Sequence, residues 1–372
     1  MGFSQARRPS GVIGVIILAL ATCVGTLEGG ARWVAVMPDE FLRPDPSGAG
    51  IHHIAGREGR WVSSEFDVRV RINSDGFRDR ERATPKPPGT RRIVVLGDSI
   101  TEALQVSLEE TFAARVERRL TTAGRPVEVL NLGISALGPA QEYLILREYG
   151  VRYAPDVVVL AVFTANDFRG SLAVLEGKPY LRYPRQGPDG AIMRGADGDV
   201  LFTDPLVPSP GRQWLRTHVA SYRFIRDRVW RTGGGAESPA AADLLAIYRE
   251  PPPSVWREAI DVTLAMVGDV DALARRIGAQ LIVLVVPAPW EVDPRARDQH
   301  PELRAATVDW GRPQRLLLDW LARHRIPTVT VSDAFAREVA AGGRAYFPID
   351  GHLTPIGHRL VADRLAAVLG DL

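Results

Sequence analysis

From Arg91 to the C-terminus, short apolar runs alternate with stretches whose apolar residues recur every three or four positions. The runs are Ile93 to Leu96, Val127 to Leu130, Val157 to Val162, Leu281 to Val286 and Thr328 to Val331. The periodic stretches cover Glu109 to Leu120, Gln141 to Tyr149, Val255 to Ile277, Pro313 to His324, and the residues after Pro355. A run with little polar alternation is a strand covered on both faces, and helices between such strands allow them to be parallel. The pattern predicts a three-layer α/β/α sandwich around a central parallel sheet. In such sheets reactive side chains gather at the carboxyl ends of the strands.

The chain before Arg91 divides in two. Gly11 to Leu27 is uncharged, preceded by Arg7 and Arg8 and followed by Glu28. Its length lies near the lower limit of about 17 residues for a spanning helix, and the preceding arginines place the N-terminus in the cytoplasm. Residues 1–35 are therefore expected to be an uncleaved membrane anchor, with a cleaved signal sequence as the alternative. Either way the rest of the chain is exported, as a periplasmic domain or a secreted one. Thr22 sits where lipidation of Cys23 would need Gly or Ala. Residues 36–90, rich in Pro, Gly and Arg, are expected to be a linker with short β elements, the clearest being the alternating Phe66 to Ile72.

The segment 171–250 is too long for an ordinary connection and is expected to be an insertion into a catalytic domain spanning 91–372. Within it Trp214, Leu215, Val219, Tyr222, Ile225 and Val229 fit one face of a helix punctuated by Arg212, Arg216, Arg223 and Arg231. Such a helix packs on the body or forms a lid that touches membrane or polysaccharide. Gly233, Gly234 and Gly235, with Pro251 to Pro253, would bracket a flexible return.

Composition removes some functions. Lys plus Arg number 46 against 44 Asp plus Glu, which supplies no clustered positive face for nucleic acid. The single cysteine excludes an intrachain disulfide framework and a cysteine-rich zinc site. No Walker loop or dinucleotide fingerprint is present. No metal or organic cofactor is expected.

The strongest local signal is Val94-Val95-Leu96-Gly97-Asp98-Ser99-Ile100-Thr101, an apolar strand entering a Gly-Asp-Ser turn and then a helix. Ser99 there stands at a strand's carboxyl end, with helix N–H groups beside it to face a developing oxyanion. As a bare tripeptide the motif is weak, and Ser99 could equally be a helix N-cap. Three further blocks supply context: Asn131-Leu132-Gly133 after the second run, Thr164-Ala165-Asn166-Asp167 after the third, and Asp350-Gly351-His352-Leu353-Thr354-Pro355-Ile356-Gly357-His358 near the end.

Together these blocks, in this order, resemble the SGNH (GDSL) family of serine esterases and acyltransferases over about residues 91 to 370. The resemblance implies a flavodoxin-like SGNH hydrolase fold. It implies Ser99 as nucleophile, His352 as base and Asp350 as the acid that orients it. The Ser99 and Gly133 N–H groups and the Asn166 amide would form the oxyanion hole. The family's commonest final block has Asp three residues before His, where this chain has Ile349; Asp350 lies two before. That closer spacing resembles the Asp-Gly-His block of some exported acyltransferase-like members. Asp333, in the loop after Val331, and a backbone carbonyl are alternative partners for His352. His358 competes as base but lies where the last helix begins and is expected to cap or pack.

Other polar residues have plainer readings. His52 and His53 are expected to be a solvated pair, His218 a packing residue, and His300 and His324 isolated. Asp98 and Asp167 are expected to make turn or cap hydrogen bonds. The implied reaction is ester hydrolysis or O-acyl transfer through a covalent Ser99 ester, on a cell-envelope, polysaccharide or lipid ester. An alternative is a non-catalytic polysaccharide-binding or assembly module on the same fold.

Overall fold

The structure, a computed structural model, describes residues 9–34, 40–124, 126–232, 243, 245–299 and 301–370. Its strands are β1 (Leu42–Asp45), β2 (Gly50–His53), β3 (Glu58–Val62), β4 (Asp67–Arg71), β5 (Arg91–Leu96), β6 (Val127–Asn131), β7 (Val157–Phe163), β8 (Gln280–Val286) and β9 (Thr328–Thr330). The described residues group into two compact units, one from 1–40 and 208–235, the other from 41–207 and 236–372.

In the larger unit β5 to β9 form one parallel sheet in the order β6-β5-β7-β8-β9. All seven residues of β7 are buried, which β-branched chains on a doubly covered strand require. Period-two alternation sorts the sheet's side chains into two cores. Ile93, Val95, Val159 and Leu284 meet Phe112, Val116 and Leu120 of the helix Phe112–Thr122, and Val361, Leu365 and Leu369 of the helix Pro355–Gly370. Val94, Leu96, Leu160 and Val283 meet Leu144 of Pro139–Ile145, Val267 and Val270 of Ser254–Arg276, and Leu317 and Leu321 of Arg312–His324. The result is the α/β/α sandwich that the sequence pattern predicts. After β5 the chain adds β6 on one side and then crosses to β7 on the other. The carboxyl end of β5 is thus the topological switch point, where a crevice opens.

Of the segment 36–90, expected to be a linker with short β elements, residues 41–90 belong to this unit. β1–β2 and β3–β4 are antiparallel hairpins. Val70, Ile72 and Phe77 are fully buried. Arg78, 1% exposed, donates to the carbonyl oxygens of Glu102, Ala103 and Val106. Its guanidinium satisfies the free carbonyl end of the helix Ser99–Glu102, a role normally left to solvent or a C-cap. A composition rich in Arg and Pro hides this because the partner carbonyls lie elsewhere in sequence.

The segment 171–250 also differs from the expectation. Leu172, Leu175, Leu181, Tyr183, Val200 and Phe202 are buried in the main core, as are Ala246, Ile247 and Tyr248. Only the central helices belong to the smaller unit. The single helix expected there is two, Pro210–His218 and Ala220–Thr232, broken at Val219 in extended conformation. The second packs with the helix Pro9–Val34, whose Glu28 carboxylate accepts from Ala220 N (2.9 Å), Ser221 N (2.9 Å) and Ser221 Oγ (2.8 Å). A carboxylate on these N–H groups compensates the break by capping the second helix. Ile13–Ala31, near the N-terminus, is long and apolar enough to cross a membrane. Gly233, Gly234, Gly235 and His300 lie outside the described residues.

A helix unforeseen from sequence, Ser332–Ala340, follows β9 and places Asp333 in its first turn instead of a loop.

Candidate active site

Gly97 follows β5 at a point where any side chain would collide with Thr101, so the strand can turn sharply into the helix Ser99–Glu102 only with glycine. Asp98 caps that helix, its carboxylate accepting from Ile100 N at 2.8 Å. Its second oxygen, Oδ2, accepts from Asn166 Nδ2 at 2.8 Å, which fixes the amide's orientation. Ser99 occupies the first helical position, where its N–H has no intrahelical acceptor.

His352 reaches this turn from the other end of the chain. Its Nε2 lies 2.8 Å from Ser99 Oγ, and its Nδ1 2.7 Å from Asp350 Oδ1. A carboxylate can only accept, so Nδ1 carries the hydrogen and Nε2 is left to accept from the serine. Gly351, at φ +81°, makes the reversal that lets an acid two residues before the histidine meet its ring. Burial disfavours the imidazolium, but the hydrogen bond and charge of Asp350, with Asp98 and Glu102 behind it, hold the His352 pKa above the ordinary value.

Gly133 presses directly on the serine helix. A Cβ there would stand 2.5 Å from Glu102 N. Its N–H donates to Asn131 Oδ1 at 2.9 Å, while Asn131 Nδ2 donates to Thr101 O at 2.8 Å. Of the three expected oxyanion donors, the Gly133 hydrogen is thus engaged by a side chain that the sequence reading left without a role. Ser135 and His53 both bind the Glu102 carboxylate, which ties the glycine loop and β2 to the serine helix.

The remaining candidates fall elsewhere. His358 is buried, stacks on Phe112, and accepts from Phe112 N through Nδ1 at 3.3 Å. Burial, reinforced by the charge of Arg78 and Arg115, pushes its pKa down to about 3, which suits packing. His52 and His53, expected to be solvated, are buried at 1% and 0% exposure, because β2 is covered on both faces. His218 and His324 are exposed and stack on Trp214 and Trp320. Asp167 accepts from Phe163 N at 2.7 Å, closing the turn after β7. Among the described residues no group of three or more His, Cys, Asp or Glu could hold a metal ion.

Residues 252–372 match the family described as SGNH hydrolase-like domain, acetyltransferase AlgX. The matched segment carries Asp350 and His352 and is similar to an SGNH hydrolase-like domain. No curated protein matches it. Solved structures similar to this chain include TesA, with 14% identity over 76% of this chain and 99% of that one, at a TM-score of 0.40. An acetylxylan esterase from Geobacillus stearothermophilus has 15% identity over 75% of this chain and 94% of its own, at 0.41. A lipase/acylhydrolase from Enterococcus faecalis has 15% identity over 76% and 96%, at 0.40.

One buried carboxyl near this site carries no signal in the sequence. Glu291 accepts from Thr164 Oγ1, Tyr248 OH and Gln314 Nε2, each at 2.8 Å, so it joins the asparagine loop to three other segments. Burial raises its pKa to about 7, against those hydrogen bonds. The folded protein then holds a proton that the unfolded chain releases above its ordinary value of 4.5. Stability should fall as pH rises from about 4.5 to 7 and level off beyond, an effect worth roughly 3 kcal/mol at most. In Glu291→Gln that slope should be absent, so its melting temperature should gain on wild type across this window. Parallel pH profiles in thermal melts would contradict the assignment.

Proposed function

We propose that this protein is a serine acyl-transfer enzyme, with Ser99 as nucleophile, His352 as general base and acid, and Asp350 as the orienting acid. The observation that carries the reading is the continuous hydrogen-bond chain from Ser99 through His352 to Asp350 at the sheet's switch point. Ser99 Oγ attacks the ester carbonyl carbon as its proton passes to His352 Nε2. The tetrahedral oxyanion is met by Ser99 N–H and the Asn166 amide, and by Gly133 N–H once it turns from Asn131. Collapse breaks the bond to the leaving oxygen, which takes the proton from His352. An acceptor hydroxyl then returns a proton to His352, attacks the acyl carbon and frees Ser99.

Asn166 is half-buried, with one amide hydrogen committed to Asp98 and the other free for the oxyanion. Asn166→Ala should lower kcat on the order of 100- to 1000-fold with little change in KM, as loss of one preorganised donor does. A kcat within threefold of wild type on p-nitrophenyl acetate would remove Asn166 from the hole.

For substrate, we infer O-acyl transfer or ester hydrolysis on a cell-envelope polysaccharide, with the domain outside the cytoplasm and held to the membrane by the N-terminal helix. Three observations support this. The matching family is described as an acetyltransferase. The apolar helix Ile13–Ala31 suits an anchor or signal sequence. A groove of about 920 Å³, lined by Phe66 and Phe347 and mostly by charged side chains such as Glu65, Arg69, Arg80 and Glu110, lies beside the loop that carries Asp350 and leaves room for an extended polar chain. The deciding experiment follows acetyl release from an acetylated glycan with and without an added sugar acceptor. Transfer to the acceptor makes it an O-acyltransferase, and release to water alone makes it an esterase. Inertness toward every ester, in folded protein, would sink the reading.

A further inference from the structure

The turn between β3 and β4, Ser63-Ser64-Glu65-Phe66, touches the loop that carries Asp350. Glu65 oxygens accept from Ile349 N at 3.1 Å, and Oε2 accepts from Asp350 N at 2.6 Å. Phe66 meets Phe347 edge to face, with centroids 5.3 Å apart. The turn is itself closed, Ser63 N donating to Phe66 O at 2.9 Å and Glu65 N to Ser63 Oγ at 3.0 Å.

The loop needs such support. Its base is pinned by Phe347 N to His352 O at 2.8 Å and Gly351 N to Phe347 O at 3.0 Å. Its outer corner, Ile349 and Asp350, has no comparable bond within the loop, and the Ile349 side chain is 77% exposed. An acid separated from its histidine by one left-handed glycine meets the ring only in this tight conformation, and rotation at Gly351 would swing Asp350 away. Two adjacent N–H groups converging on one carboxylate form an anion-binding nest, and bonds to a charged acceptor are roughly twice as strong as neutral ones.

We propose that Glu65 is a positioning residue, bracing the N–H groups of Ile349 and Asp350 so that the Asp350 carboxylate stays on His352 Nδ1. This rests on the acyl-transfer reading of Ser99, His352 and Asp350. Glu65 does not touch the reacting atoms; it acts through Asp350. The β3–β4 hairpin is thereby part of the catalytic apparatus, although it lies far from every family block in sequence. The Ser-His-Asp arrangement of this chain is completed by a fourth side chain, outside the triad, that substitutes for the missing acid at Ile349 by fixing the one beside it.

The test measures the rate of fluorophosphonate labelling of full-length protein carrying Glu65→Ala, Glu65→Gln, Asp350→Ala, or Glu65→Ala with Asp350→Ala. Glu65→Ala should slow labelling about 10- to 100-fold, the usual cost of a small misplacement. Glu65→Gln, which keeps one acceptor oxygen, should recover part of that loss. In the Asp350→Ala background the Glu65 change should add less than about twofold, since its route to the histidine is already cut. Labelling of Glu65→Ala within twofold of wild type, or an equal loss in both backgrounds, would overturn the proposal. Should Glu65→Ala not fold, Glu65→Gln carries the same comparison.

A second readout separates this idea from the one beneath it. The groups that face His352 are Ser99, Asp350, Asp98 and Glu102. If Asp350 drifts away in Glu65→Ala, the His352 titration followed by NMR should move to lower pH. An unchanged titration overturns the proposal. If wild-type protein shows no Ser99-dependent labelling, the acyl-transfer reading falls, and the titration alone still decides whether Glu65 holds Asp350.

Discussion

Ser99→Ala should abolish fluorophosphonate labelling and lower turnover on p-nitrophenyl acetate by about 10⁴- to 10⁶-fold, while the protein folds as before. The expectation follows from what the side chain touches. Ser99 Oγ bonds His352 Nε2 and holds no element together, whereas its backbone and the Asp98 cap are kept in the variant. The Ser99 N–H and Asn166 amide would remain, so a residual rate above that of water is part of the prediction. His352→Ala should fall nearly as far, because nucleophile and base act as a unit. His358 offers no rescue: burial has driven its pKa down to about 3 and its Nδ1 is occupied by Phe112 N. A folded Ser99→Ala protein that still labels at Ser99-like rates would place the nucleophile elsewhere, and circular dichroism on the same sample would show whether the comparison is fair.

The layers of the fold could be read from sequence because the central strands β5, β7 and β8 are largely apolar and the covering helices carry their own period. Ser99 stands where β5 ends, whereas Asp350 and His352 lie beyond the helix that follows β9 and are marked in the sequence only by their motif. What escaped the sequence reading is a set of polar side chains whose meaning lies in partners distant along the chain. Arg78 looks like one more arginine in a Pro-rich stretch until its guanidinium is seen on the carbonyls of Glu102, Ala103 and Val106. Glu65 and Ile349 are 284 residues apart, and no periodicity connects them. His52 and His53 were expected in water because a Gly-bearing segment with charges nearby resembles a loop, yet β2 is buried at all four positions. Asn131 stands in the sequence only as the first residue of a motif, whereas its amide bridges Thr101 O and Gly133 N. The helix Ser332–Ala340 carries a local signal, an acid in the first turn before Ala334, Phe335 and Val339 at helical spacing. Segment 171–250 reads as an insertion because it is too long for an ordinary connection. Its ends instead fill the core, since burial depends on side-chain chemistry and place rather than on membership in the repeating pattern.

Asp350→Asn should lower kcat by about 10⁴-fold with KM little changed, the largest effect expected of any residue that does not itself bond to substrate. The amide keeps the shape of the carboxylate but can turn its NH2 toward His352 Nδ1. That forces the hydrogen onto Nε2, where it blocks proton transfer from Ser99. The variant also loses the charge that offsets burial, so the His352 pKa, raised in wild type, should drop. A lower imidazole pKa leaves the base form populated at lower pH, and the acid limb of the residual kcat/KM profile should therefore move to lower pH. Asp333 provides the control. It lies in the first turn of Ser332–Ala340, while the His352 Nδ1 contact is made by Asp350 at 2.7 Å, so Asp333→Asn should stay within about threefold of wild type. The reverse pattern, a collapse in Asp333→Asn and near-wild-type turnover in Asp350→Asn, would assign the orienting acid to Asp333. Losses below tenfold in both would mean that a backbone carbonyl orients the imidazole, and would also remove the target through which Glu65 is held to act.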